Sequence, residues 1–199
     1  VTGVQTCALP ISDENALSHS AFPSAAEFES RVISMCASVL SPGREAFGVF
    51  ASGGTESTLI AMKGYRDANA GRSRTIVAPT TVHPAVAKAA AYLGMRLVRI
   101  PLGNEYRVVP EDIVAAIDAD TAVVVLSAPC FPFGQVDPIA EIAAAAERLG
   151  AAVHVDVALG GLFLPFLDGV GLESPRFGLN VPGVTSVAVD LHKYGYGAK

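Results

Sequence analysis

The sequence predicts an α/β fold, a mostly parallel β-sheet with helices on both faces, and three observations lead to it. Short β-branched or apolar runs alternate with helical stretches along nearly the whole chain, three of those helices open at a proline, and each motif able to do chemistry comes directly after an apolar run. Strand, helix, strand repeated in this way gives parallel strands covered by their crossover helices. In such sheets ligands sit beyond the carboxyl ends of the strands.

The first element is a helix. Phe28, Val32, Met35 and Val39 recur at helical spacing over 24–40, and Pro42-Gly43 stops the pattern. Strands are predicted at 48–51, 75–78, 96–100, 122–127, 152–156 and 186–190. Helices are predicted between them at 55–69, 84–93, 110–117 and 138–149, with Pro84, Pro110 and Pro138 suited to a first helical turn. Residues 13–199 contain no internal repeat, low-complexity tract or interdomain linker.

Composition excludes several classes. With 51% hydrophobic residues in 199, the chain can bury a large core. Fourteen Lys plus Arg against nineteen Asp plus Glu give a net charge of −5, and no basic run tracks a phosphate backbone, so nucleic acid is not an expected partner. The apolar stretch at 159–167 is broken by Gly and Pro and falls short of the about 20 residues a bilayer span needs. Cys7, Cys36 and Cys130 are odd in number and lack metal-ligand spacing, which points to reduced thiols, a cytoplasmic location and no metal site. Residues 1–11, VTGVQTCALPI, read as a translated sequencing adapter, so 1–12 are expected to be non-native and the sequence truncated at both ends.

Three motifs can carry chemistry. Ser52-Gly53-Gly54-Thr55-Glu56-Ser57 opens a helix, where adjacent glycines admit an anion close to the backbone and free N–H groups with the Thr55 hydroxyl can donate to it. Alone, the hexapeptide equally suits a plain N-cap with Glu56 in the first turn. His154-Val155-Asp156-Val157-Ala158-Leu159-Gly160-Gly161 delivers an acid at a strand end, with small residues after it. Asp156 there could pair with a buried cationic ring nitrogen while Ala158 leaves space for a flat ring, or it could simply cap a turn.

Asp190-Leu191-His192-Lys193-Tyr194-Gly195-Tyr196-Gly197 places a lysine just past an apolar strand. Such a lysine can be desolvated, lose its proton and attack an aldehyde. A solvated surface lysine is the plain alternative. Together the motifs supply what pyridoxal 5′-phosphate requires, a phosphate cradle, an acid for the pyridinium nitrogen and an amine for covalent attachment. His83, at a strand-to-helix junction, could stack on the ring or merely cap its helix.

These residues, in this order, resemble the group II pyridoxal-dependent decarboxylase superfamily, and within it the sphingosine-1-phosphate lyase branch. The likeness spans 13–199 and is carried by SGGTES with Met62-Lys63-Gly64-Tyr65-Arg66-Asp67, Gly94-Met95-Arg96-Leu97-Val98-Arg99, Phe131-Pro132, HVDVALGG, and Gly183-Val184-Thr185-Ser186 running into DLHKYGYGAK. It implies part of the large domain of a fold-type I enzyme at 46–199, a helical segment at 13–45 before it, and a small C-terminal domain beyond this sequence. It further implies that Lys193 forms the Schiff base, Asp156 holds the pyridinium proton, and His83 stacks opposite Ala158. Gly54, Thr55 and His192 would hold the cofactor phosphate and Lys199 a substrate phosphate. The chain departs from the branch at Ser18-His19, where the histidine is displaced by one, and at Phe133, where the lyases tend to have His.

The resemblance implies a homodimeric carbon-carbon lyase acting on a phosphorylated amino alcohol. An L-amino-acid decarboxylase uses the same electron sink and is the nearest rival. A non-catalytic α/β binding domain or inactive partner subunit is the alternative of another class. The 199-residue segment alone is expected to be inactive, because it lacks the rest of the sheet and the dimer interface.

Overall fold

The computed structural model describes residues 20–69 and 74–197. Residues 1–12, His19 and Lys199 therefore lie outside the described part. The elements are α1 (Pro23–Leu40), α2 (Gly54–Ala68), β1 (Thr75–Pro79), α3 (Pro84–Leu93), β2 (Arg96–Ile100), α4 (Pro110–Ala115), β3 (Thr121–Ser127), α5 (Ile139–Arg148), β4 (Ala152–Asp156) and β5 (Val184–Ala188). The five strands form one sheet in the order β2-β1-β3-β4-β5, and every neighbouring pair is parallel. The expected parallel α/β sheet is what the chain forms.

Burial explains the layers. All seven residues of β3 are buried, as for a central strand covered on both faces. Its alternate residues supply two cores. Val123 and Val125, with Ile76 of β1, pack against Met62 of α2 and Val86, Ala89 and Ala90 of α3. Val124 and Leu126, with Val153 and Val155 of β4, pack against Ile113 of α4 and Ile139, Ile142, Ala143 and Ala146 of α5. Leu40, at the end of α1, joins this second core. Among the described residues no helix is long and apolar enough to cross a membrane.

Two strand predictions change. Residues 48–51 form no strand among the described residues, although Gly48 to Ala51 has the composition of one. No described strand lies beside them to complete a ladder, and Phe47 and Val49 are left exposed. The last strand runs Val184–Ala188, earlier than the predicted 186–190. Its partner β4 ends at Asp156, opposite Ala188, so Val189 and Asp190 have no ladder to join. Helix ends shift by one or two residues, α5 starting after Pro138, which serves as its N-cap.

The sheet order reverses beside β1. Chain leaving the carboxyl ends of β1, β3, β4 and β5 therefore converges on one edge of the molecule. That edge gathers the described residues of the SGGTES, HVDVALGG and DLHKYGYG motifs together with His83.

Candidate active site

The N-terminus of α2 has no side-chain cap, its N-cap being Gly53. Glu56 reaches back instead, accepting from the Ser52 N–H at 2.6 Å, and this bond holds its carboxyl below the usual range. The plain-cap alternative thus holds for Glu56, yet the face at Gly54 and Thr55 still opens onto a groove of about 820 Å³. A Cβ on Gly54 would stand 3.0 Å from Oδ1 and 3.1 Å from Oδ2 of Asp190. Only glycine fits that approach without displacing the carboxylate.

His83 ends the loop after β1 and plays two parts. Its Nδ1 accepts from the Ala85 N–H at 3.2 Å and so caps α3. In the neutral ring the proton then sits on Nε2. The same imidazole meets the Phe131 ring edge-on, with centroids 5.8 Å apart, and lines a cleft with Ser127, Pro129, Phe131, Asp156, Ala158, Leu159 and Lys193.

Asp156 closes β4. One carboxylate oxygen accepts from the Ala158 N–H at 3.0 Å. Burial pushes its pKa up, while that hydrogen bond and the charges of Lys193 and His83 pull it down. The balance leaves a carboxylate that is poorly hydrated and open to a cationic partner in the cleft. Gly160 and Gly161, just beyond, are packed by backbone: a Cβ on Gly160 would lie 2.2 Å from the Ala128 carbonyl oxygen.

Lys193 comes after β5, its Nζ 3.0 Å from Oδ2 of the buried Asp190 and its side chain facing both the cleft and the groove. His192 lines the groove, with Nε2 3.9 Å from the same Asp190 oxygen. Gly54, Thr55, His83, Asp156, Ala158, His192 and Lys193 thus line the groove or the cleft, which share His83 and Lys193. Asp190 is not among the site residues the sequence singles out, although an acid just past a parallel strand is the signal that marks Asp156. Ser127, Pro129 and Phe131 carry no such signal and are placed by the fold. Phe133 stacks on Tyr106, centroids 4.3 Å apart.

The aminotransferase class-V profile matches residues 38–162, more than half of the chain. The chain belongs to the aminotransferase class-V family. Among curated relatives it is 43% identical to a sphingosine-1-phosphate lyase of Dictyostelium discoideum over 93% of this chain and 36% of that protein. It is 37% identical to a probable L-tyrosine/L-aspartate decarboxylase of Methanothermobacter thermautotrophicus over 85% of this chain and 46% of that protein. The solved sphingosine-1-phosphate lyase of Burkholderia pseudomallei superposes with a TM-score of 0.88 at 35% identity, covering 94% of this chain and 46% of that one.

The chain spans about a third of the length of the curated lyases it matches. Its fold is that of the fold-type I large domain, and within the family it groups with the sphingosine-1-phosphate lyase branch. The family works with pyridoxal 5′-phosphate. The residues present fit that group on their own chemistry: amide donors at the uncapped start of α2 for a phosphate, an under-solvated carboxylate at Asp156 for a ring N–H, and an amine at Lys193 facing the same cleft. No cluster of His, Cys, Asp and Glu among the described residues could hold a metal ion.

Proposed function

We propose that the protein carrying this segment is a pyridoxal-phosphate-dependent lyase. It cleaves the bond between the amine-bearing and hydroxyl-bearing carbons of a phosphorylated amino alcohol, releasing an aldehyde and an amino-alcohol phosphate. The observation that carries this reading is the convergence of His83, Asp156 and Lys193 on one cleft, in a chain 43% identical to a sphingosine-1-phosphate lyase.

When bound, the cofactor supplies an electron sink for the pair left as a bond at the substrate α-carbon breaks. Lys193 is the residue that would hold it covalently through Nζ, an amine able to give way to the substrate amine. Asp156 keeps the ring nitrogen protonated, and the cleft that disfavours its charge strengthens that pairing. His83 sets a flat imidazole against the ring, and Ala158 is small enough to leave room for it. Gly54, Thr55 and His192 hold the phosphate at the groove. Lys199, outside the described residues, meets the substrate phosphate. The enzyme is a cytoplasmic homodimer, and the 199 residues alone do not turn over.

Decarboxylation of an L-amino acid is the second reading, favoured by the 37% identity to the Methanothermobacter decarboxylase. The full-length protein, loaded with pyridoxal 5′-phosphate and given a phosphorylated long-chain base and a panel of L-amino acids, separates the two. Aldehyde with an amino-alcohol phosphate supports the lyase. Release of carbon dioxide moves the protein to the decarboxylases and leaves Lys199 without a substrate role.

A further inference from the structure

A polar chain links α2 to β5 and β4, ending on a buried histidine, and none of the cofactor or substrate roles uses it. The Tyr65 hydroxyl, on α2, lies 2.7 Å from Oγ1 of Thr185 and 2.5 Å from Oγ of Ser186, both on β5. Ser186 Oγ lies 2.7 Å from Nδ1 of His154, on β4. His154 is fully buried, its Nε2 has no hydrogen-bond partner, and burial pushes its pKa down to about 4. The chain therefore runs from an exposed end at Thr185, through half-buried Tyr65 and Ser186, to a neutral, fully buried His154, where each hydrogen bond gains most from the absence of water.

Its position matters more than its strength. The β4–β5 register slips at this point: Val153 pairs with Val184, but His154 pairs with Ser186, so Thr185 is an extra residue. Thr185 replaces the lost ladder with its side chain, its Oγ1 donating to the Val153 carbonyl at 2.8 Å and accepting from the Val153 N–H at 3.2 Å. A bulge re-aims everything after it, because one residue of slip turns each later side chain to the other face. Downstream of this bulge lie Ala188, opposite Asp156, and then Asp190, His192 and Lys193.

Tyr65 ties that bulge to α2, the helix whose first turn bears Gly54 and Thr55. His154 ties it to β4, the strand that ends at Asp156. We propose that Tyr65 is a positioning residue: with Ser186 and His154 it locks the β5 bulge and so fixes Lys193 relative to both the phosphate cradle and Asp156. The inference rests on the proposed cofactor role of the cleft. It assigns to the MKGYRD and GVTS stretches a task that the residues touching the cleft do not explain.

The test uses the full-length protein and three variants, Tyr65→Phe, Ser186→Ala and His154→Gln, each loaded with pyridoxal 5′-phosphate. Three quantities are measured: the dissociation constant of the cofactor, the circular dichroism of its visible band, and the melting temperature of the cofactor-free protein. Tyr65→Phe is expected to raise the dissociation constant about tenfold and weaken the dichroic band, with the cofactor-free melting temperature little changed. His154→Gln, acting on the same bulge from the other strand, is expected to alter the band in the same direction. Combined with Tyr65→Phe, it should cost less than the sum of the two. An unchanged dissociation constant and band in all three variants overturns the proposal, as does a fall in stability alone. Absence of any visible band in the loaded wild-type protein overturns the cofactor reading, and this inference with it.

Discussion

Asp190 stands between the two halves of the site, 3.0 Å from Nζ of Lys193 on one side and against the bare Cα of Gly54 on the other. The lysine's ammonium is thereby held over the cradle before any ligand arrives. Replacing Asp190 with Asn keeps the shape and removes the charge. A loss of about 1.5–3 kcal/mol in stability is expected, the range for hydrogen bonds to charged groups. Slower appearance of the visible band on adding cofactor should accompany it. Both are read by thermal melting and stopped-flow absorbance.

Gly54→Ala tests the same contact from the other side. Its Cβ would press on both Asp190 oxygens at 3.0–3.1 Å, so the carboxylate must give way by a few tenths of an ångström. Weaker cofactor binding is expected, with a smaller effect on folding, by titration with pyridoxal 5′-phosphate. Lys193→Ala removes the amine proposed for covalent attachment and is expected to abolish the visible band and turnover together.

Asp156→Asn separates catalysis from stability. Burial penalises the charge of this carboxylate in the cofactor-free protein, so the amide is expected to leave the melting temperature equal or higher. Turnover should fall by about a hundredfold or more, the scale of losing one preorganised electrostatic partner. A variant with normal kcat would deny Asp156 its ring-nitrogen role.

Two glycines predict opposite outcomes for one substitution. Gly160→Ala drives a methyl to 2.2 Å from the Ala128 carbonyl oxygen and 2.4 Å from the Leu164 side chain, and is expected to cost about 1–3 kcal/mol or more, since the Ala128 backbone must move. Gly64→Ala, within α2, meets nothing within 4 Å and is expected to stabilise by about 0.5–1 kcal/mol through helix propensity. Chemical denaturation of the two variants checks both signs.

Two buried groups give the protein opposing pH dependences. His154, held down to about 4 by burial, is neutral in the fold but protonates near 6.5 when unfolded, so its share of stability is present above pH 6.5 and is lost as pH falls toward 4. Asp137 is buried and raised to about 7, although it accepts from the Ser127 N–H at 2.7 Å. Its share is present below about pH 4 and is lost as pH rises to about 7. The two slopes therefore oppose each other between pH 4 and 6.5, with Asp156, also raised by burial, acting in the same direction as Asp137. Asp137→Asn should expose a rise with pH over that window, and His154→Gln a fall.

The sequence by itself determined the element order and the chemistry of the edge. Apolar runs bounded by Pro and Gly specify parallel strands, and a reactive residue just past a strand in a parallel sheet must lie at the carboxyl edge, wherever the strand sits. His83, Asp156 and Lys193 were legible for that reason, whereas Gly54 was legible from its adjacent glycines at a helix start and not from the strand expected before it, which does not form. Only the tertiary structure decided that 48–51 form no strand, that β5 begins at Val184, and that Asp190, Ser127 and Phe131 share the site. It alone placed Tyr65 against Ser186, 121 residues away, and set the bulge between β4 and β5. A ladder needs a neighbour and a bulge needs a register, and both are properties of pairs of segments. No local pattern of residues records which distant segment completes the pair.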